Sequence, residues 1–323
     1  MFSILGAGVA GLSVASELAA RGAQVQVFDP AGRPGRHACS WWAGGMLAPY
    51  CEFENAEEPV LRLGRSAADW WSTRTPVARH GTLVVAQRRD VPDLRRFAAR
   101  TQGHRPLNAA ALAELEPDLA HLHSALLFET EAHLAPRTAL TDLHEGLEAS
   151  GVRMHASAAP DHLNQVIDCR GFAARDSLSD LRGVKGEMVV LRAPDVALTR
   201  PVRLLHPRLP LYVVPRGDGI YMLGATMIEA EDRRGVTARS LLELLSAAYA
   251  LSPAFGEAEI MEIGVDLRPA FPDNLPHVRE IDGRIYANGL YRHGFLLAPA
   301  LAETVADFVL EGKRTELFDD HHP

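Results

Sequence analysis

The apolar positions change period along the chain, and the changes mark out its elements. Residues 2–5 form a short, nearly unbroken apolar run, as a buried strand does. Residues 6–11 are a glycine turn, and residues 12–21 carry apolar side chains at helical spacing until Gly22 stops them. The stretch "AQVQVFD" (23–29) alternates like a second strand and ends in Asp29. Together these predict a βαβ start.

The middle of the chain is mixed. A helix is expected over 59–72, with Trp70 and Trp71 packing near its end, then a strand over 81–87. Two short helices ("DVPDLRRFAARTQG", "NAAALAELEPDL"), a strand and turn ("LLFETEAHLAP") and a glycine-stopped helix over 137–151 follow. "VRMHA" and "QVIDCRG" read as strands. From 186 to about 264 the pattern switches to strands ("EMVVLRA", "LYVVPRG", "GIYMLGAT") separated by Pro, Gly and Asp, with one helix, "ARSLLELLSAAYAL". That predicts an antiparallel sheet. The last segment, "GRIYANGLYRHGFLLAPALAETVADFVLEG", reads as strand, glycine turn and long helix. With α/β segments at both ends and antiparallel β between, one α/β domain is interrupted by another.

At 323 residues the chain has room for two domains at roughly 150 residues each. Its net charge of −8 argues against a general nucleic-acid surface. Cys39, Cys51 and Cys169 are scattered, which predicts neither a disulfide framework nor a zinc site and points to a reducing cytosol. Neither a targeting leader nor a membrane span is expected, since no apolar run reaches about 18 residues. His121, His123, His321 and His322 lack supporting carboxylate or cysteine spacing, so no metal is expected.

"GAGVAG" places Gly6, Gly8 and Gly11 between a strand and a helix, with Asp29 downstream. That is the context of a dinucleotide site. The first glycine permits the tight turn, the second lets backbone approach a pyrophosphate, and the third lets helix and strand pack closely. Backbone N–H groups at the helix start, around Val9 and Ala10, receive the anion, and Asp29 bonds a ribose hydroxyl. The motif alone does not choose between NAD and FAD. A second glycine turn and helix near the C-terminus suits a flavin, whose contacts must come from distant parts of the chain.

Four stretches together resemble the D-amino-acid oxidase family of flavoproteins, and within it the glycine oxidases. They are "ILGAGVAGLSVASELAARGAQVQVFD", "SWWAGGMLAP", "YVVPRGDGIYMLGATM", and "DLRPAFPDNLPHV" with "NGLYRHGFLLAPALAE". The resemblance implies a Rossmann-like, α/β FAD-binding domain (1–50, 136–185 and 262–323) interrupted by an antiparallel-sheet α+β substrate-binding domain (51–135 and 186–261). It implies non-covalent FAD, with Ser40, Ala43, Gly44, Gly45 and Met46 against the flavin. Glycines there let backbone reach a flat ring, and Met46 walls the substrate. Arg268 would grip the substrate carboxylate, Tyr212 would add a hydroxyl, and Arg292 would lie near the substrate or flavin face. His293, Gly294, Phe295 and Leu296 would bring a helix N-terminus to the flavin pyrimidine, where negative charge is stabilised. Glu52, Glu54, Glu57 and Glu58 read as a solvated face, with Glu52 bordering the pocket mouth. Lys185, Gly186 and Glu187 fall at the domain crossover.

The implied reaction is oxidative deamination of a small amino acid, glycine first. A hydride passes to the flavin, an imine leaves, and oxygen becomes hydrogen peroxide. The resemblance also implies a place in thiamine thiazole synthesis. A D-amino-acid or sarcosine oxidase or dehydrogenase of the same fold is the alternative, and an NAD(P)-dependent dehydrogenase stands further off. Three departures stand out. Asp29 replaces the usual Glu, "DLRPAF" replaces "GLRPGT", and only residues 157–165 replace a β-meander that normally helps cover adenine. Electron acceptor and homo-oligomer formation stay open.

Overall fold

The structure, a computed structural model, describes residues 1–320 apart from 55, 161 and 207–209. His321 and His322 lie outside the described residues. A six-stranded sheet has the order His277–Ile281, Arg284–Asn288, Val166–Asp168, Phe2–Leu5, Val25–Phe28, Arg153–His155. Its last five strands run parallel, and the first closes the edge as an antiparallel hairpin. The helices Val9–Ala20, Pro136–Ala149 and Gly294–Glu311 pack together. Leu12, Val14, Leu18, Leu140, Leu297 and Leu301 contribute to one core with Ile4 and Ile167. The near-continuous burial of Phe2–Leu5 and Val25–Phe28 is what strands in the middle of a parallel sheet require.

An eight-stranded sheet carries its own core, built on Leu83, Leu127, Val189, Leu204, Val213 and Leu223. The order is Glu259–Ala270, Arg182–Arg192, Ile220–Gly224, Leu211–Pro215, Val202–Leu205, Thr82–Ala86, Ser124–Phe128, Arg105–Asn108. One pair in it is parallel, Val202–Leu205 with Thr82–Ala86, because chain from two distant stretches meets there. A two-stranded ribbon, Met46–Leu47 with Ala132–His133, lies apart.

Some boundaries differ from the sequence reading. The first helix begins at Val9, so Gly11 sits inside its first turn and not in the preceding loop. A Cβ on Gly11 would lie 1.9 Å from the Gly6 carbonyl oxygen, so only glycine lets helix and strand approach this closely. The single helix expected over 59–72 is two, Glu58–Gly64 and Ala67–Ser72. Trp71, within the second, is fully buried and donates its indole N–H to the Phe295 carbonyl (2.7 Å). The strands Arg182–Arg192 and Glu259–Ala270 are continuous across 185/186 and 261/262 and pair with each other along their length.

Strand Glu259–Ala270 is an edge, and the turn Cys39–Trp42 packs against it. The Trp42 ring lies on the bare Cα of Gly264, where a Cβ would be 2.1 Å from the ring. Trp42 also donates its indole N–H to the Arg36 carbonyl (3.0 Å). We expect Gly264→Ala to cost roughly 1–3 kcal/mol in urea unfolding. In a Trp42→Ala background most of that cost should vanish, because the two residues share one contact. Equal costs in both backgrounds would refute the contact.

Candidate active site

A cavity of about 800 Å³ runs from the glycine turn to the strand that bears Arg268. Gly6, Gly8, Val9 and Ala10 line one end, with Asp29 beside them. Asp29 holds the turn: Oδ2 accepts the Ala7 N–H (2.8 Å) and Oδ1 accepts the Ala31 N–H (2.9 Å). Ser40 Oγ accepts the Val9 N–H (3.2 Å), which ties the loop after the second strand to the helix start. Ser40, Ala43 and Gly44 continue the wall, as do Gly294 and Phe295. Gly11 lies beneath it as a packing residue.

A smaller cavity of about 100 Å³ opens off the large one. The residues lining both include Ala43, Gly44, Tyr212, Arg268, Arg292, Gly294 and Phe295. Gly45, Met46, His293 and Leu296 line only the smaller one. The structure therefore brings together, around two joined cavities, all the residues expected from the sequence except Gly11.

Arg268 is half-buried and donates from Nη1 to the Thr226 carbonyl (2.9 Å). Its guanidinium lies over the bare Cα of Gly186, where a Cβ would be 2.4 Å from Cζ. Among the described residues it has no carboxylate partner. Arg292 is different: Nη2 lies 3.4 Å from Glu52 Oε2. Burial works against the charge on Glu52, but Arg292 and then Arg203 outweigh it and hold its carboxyl below the usual range. Burial pushes the Tyr212 hydroxyl up, so it stays protonated as a donor. Burial likewise pushes His293 down to about 4, so it is neutral at the start of helix Gly294–Glu311.

The expectation of a solvated acidic face fails for Glu52 and Glu54. Both are largely covered and face Arg203, at 3.8 and 3.2 Å; only Glu57 and Glu58 are exposed. Arg203, Arg216, Met227 and Glu131 had no sequence signal as site residues. Arg203 stands directly across from Tyr212 in the strand register, which one strand's sequence does not reveal. Arg216 continues the alternation Tyr212, Val214, Arg216, the one available hint. Lys185 and Glu187, at the expected crossover, form a buried pair at 3.5 Å. No group of three metal-ligating side chains occurs among the described residues.

The backbone donors suit a large anionic, flat cofactor. The first-turn N–H groups of helix Gly294–Glu311, at Gly294, Phe295 and Leu296, are donors a helix leaves without internal partners. The turn before helix Val9–Ala20 presents the same geometry to a phosphate.

The profile of the DAO family, FAD dependent oxidoreductases, matches residues 2–308. The chain belongs to this family and is an FAD-dependent oxidoreductase. It is 54% identical over 308 residues to a Rhizobium etli protein that carries the name thiamine biosynthesis oxidoreductase ThiO, covering 93% of this chain and 94% of that one. It is 27% identical to the Synechocystis bifunctional protein ThiO/ThiG, covering 99% of this chain and 53% of the relative. The crystal structure of glycine oxidase from Geobacillus kaustophilus superposes with a TM-score of 0.81 at 26% identity, covering 98% and 95% of the two chains. Among the described residues no helix is long and apolar enough to cross a membrane.

Glu131 beneath this site yields a pH test. It is buried, with Oε1 accepting the Cys51 N–H (2.7 Å) and Oε2 without a partner. Burial pushes its carboxyl up to about 8. A group with a raised folded pKa stabilises fully below its unfolded value, near 4.5, and that contribution is lost as pH rises towards 8. Glu131→Gln should remove this slope, making the variant more stable than the parent at pH 8 by roughly 2–4 kcal/mol. Parallel stability curves for the two proteins between pH 5 and 8 would refute it.

Proposed function

We propose that the protein is a glycine oxidase, converting glycine through its imine to glyoxylate, with oxygen as electron acceptor and hydrogen peroxide as product. The observation that carries this reading is Arg268 at the junction of the two cavities, without a carboxylate partner among the described residues. A planar guanidinium with free donors there suits one carboxylate, held by two parallel bonds. The adjoining space of about 100 Å³, walled by Met46, Met227 and Pro210, suits a substrate of few heavy atoms.

In this reading Arg268 fixes the carboxylate and Tyr212 donates its hydroxyl to it. Glu52 neutralises Arg292, so the pocket does not demand a second anion. Met46 and Tyr212 exclude water beside the alpha carbon. Bound FAD supplies the oxidising ring that accepts a hydride equivalent from that carbon. The chain's own part is orientation and desolvation, and no general base is required. Ser40, Ala43, Gly44, Gly45 and the segment 292–296 hold the cofactor non-covalently. The FAD-binding unit comprises 1–50, 136–185 and 262–323 and the substrate unit 51–135 and 186–261, with two long strands crossing between them. The name of the Rhizobium relative, a thiamine biosynthesis oxidoreductase, supports a place in thiamine synthesis, and we assign the protein to its thiazole branch and to the cytoplasm.

The alternative within the fold is a sarcosine or D-amino-acid oxidase. Turnover of glycine, sarcosine and D-alanine, read by peroxide release and by an artificial acceptor, separates the two. We expect glycine to be the best substrate. Arg268→Leu should lower kcat/KM for glycine roughly 30- to 5000-fold, from the roughly 2–5 kcal/mol that a desolvated charge pair loses with one partner. FAD absorption should stay intact. Unchanged kcat/KM in a folded, yellow variant would overturn the assignment of Arg268.

A further inference from the structure

Arg216 lines neither cavity, yet it touches the segment that lines both. It is half-buried on strand-end geometry, just past Leu211–Pro215. Its Nη2 donates to the carbonyls of Gly44 (2.6 Å) and Ala43 (3.4 Å), and its Nη1 donates to the carbonyl of Leu134 (3.1 Å). Among the described residues no carboxylate pairs with it. Burial, and then the like charge of Arg137, push its pKa down to about 9, so it remains charged at neutral pH. The protein thus keeps an arginine with only backbone carbonyls for company, at a desolvation cost that a neutral side chain would avoid.

The two carbonyls on Nη2 belong to consecutive peptide groups. The Ala43 carbonyl shares its plane with the Gly44 N–H, and the Gly44 carbonyl shares its plane with the Gly45 N–H. In a trans peptide the C=O and N–H point in opposite directions. Drawing both carbonyls towards Arg216 therefore turns both N–H groups away from it. Ala43, Gly44 and Gly45 line the cavities, which Arg216 does not. Neither N–H has an acceptor among the described residues. A second tie fixes the same stretch, since Leu134 N–H donates to the Gly45 carbonyl (2.9 Å).

We propose that Arg216 is a positioning residue, which aims the N–H groups of Gly44 and Gly45 at the flavin ring and so stabilises its electron-rich, reduced form. The charge also polarises both peptide groups, because a carbonyl that accepts from a cation makes its own amide N–H a stronger donor. Such preset donors are most effective where charge accumulates during reaction. The inference rests on the FAD cofactor of the family and not on which amine is oxidised.

The test uses the holoenzyme with Arg216→Gln and Arg216→Lys. Glutamine keeps a donor but no charge, and lysine keeps the charge but not the planar fork. Bound FAD is equilibrated anaerobically with a redox dye, and its retention is followed by fluorescence. Arg216→Gln should shift the equilibrium about tenfold towards oxidised flavin, the size of one charge-assisted hydrogen bond. A shift of at least threefold, or loss of FAD from a variant folded by circular dichroism, supports the proposal. A folded, FAD-bearing variant whose dye equilibrium stays within threefold of the parent overturns it. Should Arg216→Gln fail to fold, Arg216→Lys is judged by the same limits. A merely structural arginine would alter unfolding but leave the dye equilibrium in place.

Discussion

The contact between Gly11 and the Gly6 carbonyl sets the rest of the structure in place. With no Cβ to intervene, the first helix settles onto the first strand, and its N-terminus faces the end of the cavity. The neighbouring pieces follow from that position. Asp29 reaches back to the Ala7 N–H, Ser40 reaches the Val9 N–H, and helix Gly294–Glu311 packs against helix Val9–Ala20. Trp71 then fixes the start of that last helix through the Phe295 carbonyl. A cofactor cavity is assembled from four distant stretches because each is tied to this one close approach.

The charges around the joined cavities are arranged unevenly. Arg292 and Arg203 face Glu52, Arg203 also faces Glu54, and Arg216 is occupied by carbonyls. His293 is neutral. At the junction of the two cavities, Arg268 is the cation without a carboxylate partner among the described residues, whereas Arg292 faces Glu52. This selectivity does not depend on a catalytic acid or base. In the proposed reading it depends on the Arg268 guanidinium being available at the cavity junction, where Arg292 and Arg203 are engaged by carboxylates.

Much of this was legible in the sequence, and the reason is geometric. GxGxxG with its strand, helix and acid is local, so spacing alone places Gly6, Gly8 and Gly11. The apolar runs at 211–215 and 220–224, bounded by Pro, Gly and Asp, are equally local and mark strands of the antiparallel sheet. What escaped is what depends on register between strands. Arg203 stands opposite Tyr212 only once two strands are paired. Glu52 looks like part of an acidic surface run until the fold covers it with Arg203 and Arg292. Glu131 is an unremarkable acid in "ETEAH" until its surroundings are dry. The helix break at 65–66 does have a local signal, Gly64 followed by Ser66, which the apolar spacing across 59–72 masks.

In the proposed reaction a small amino acid, held by Arg268, is oxidised on bound FAD. Anaerobic mixing of the purified holoenzyme with glycine tests it most directly, by following the visible absorption of the flavin. Glycine should bleach the oxidised flavin band, and admitting oxygen should restore it. A flavin band that persists with glycine, sarcosine and D-alanine, yet bleaches with NADH, would contradict it.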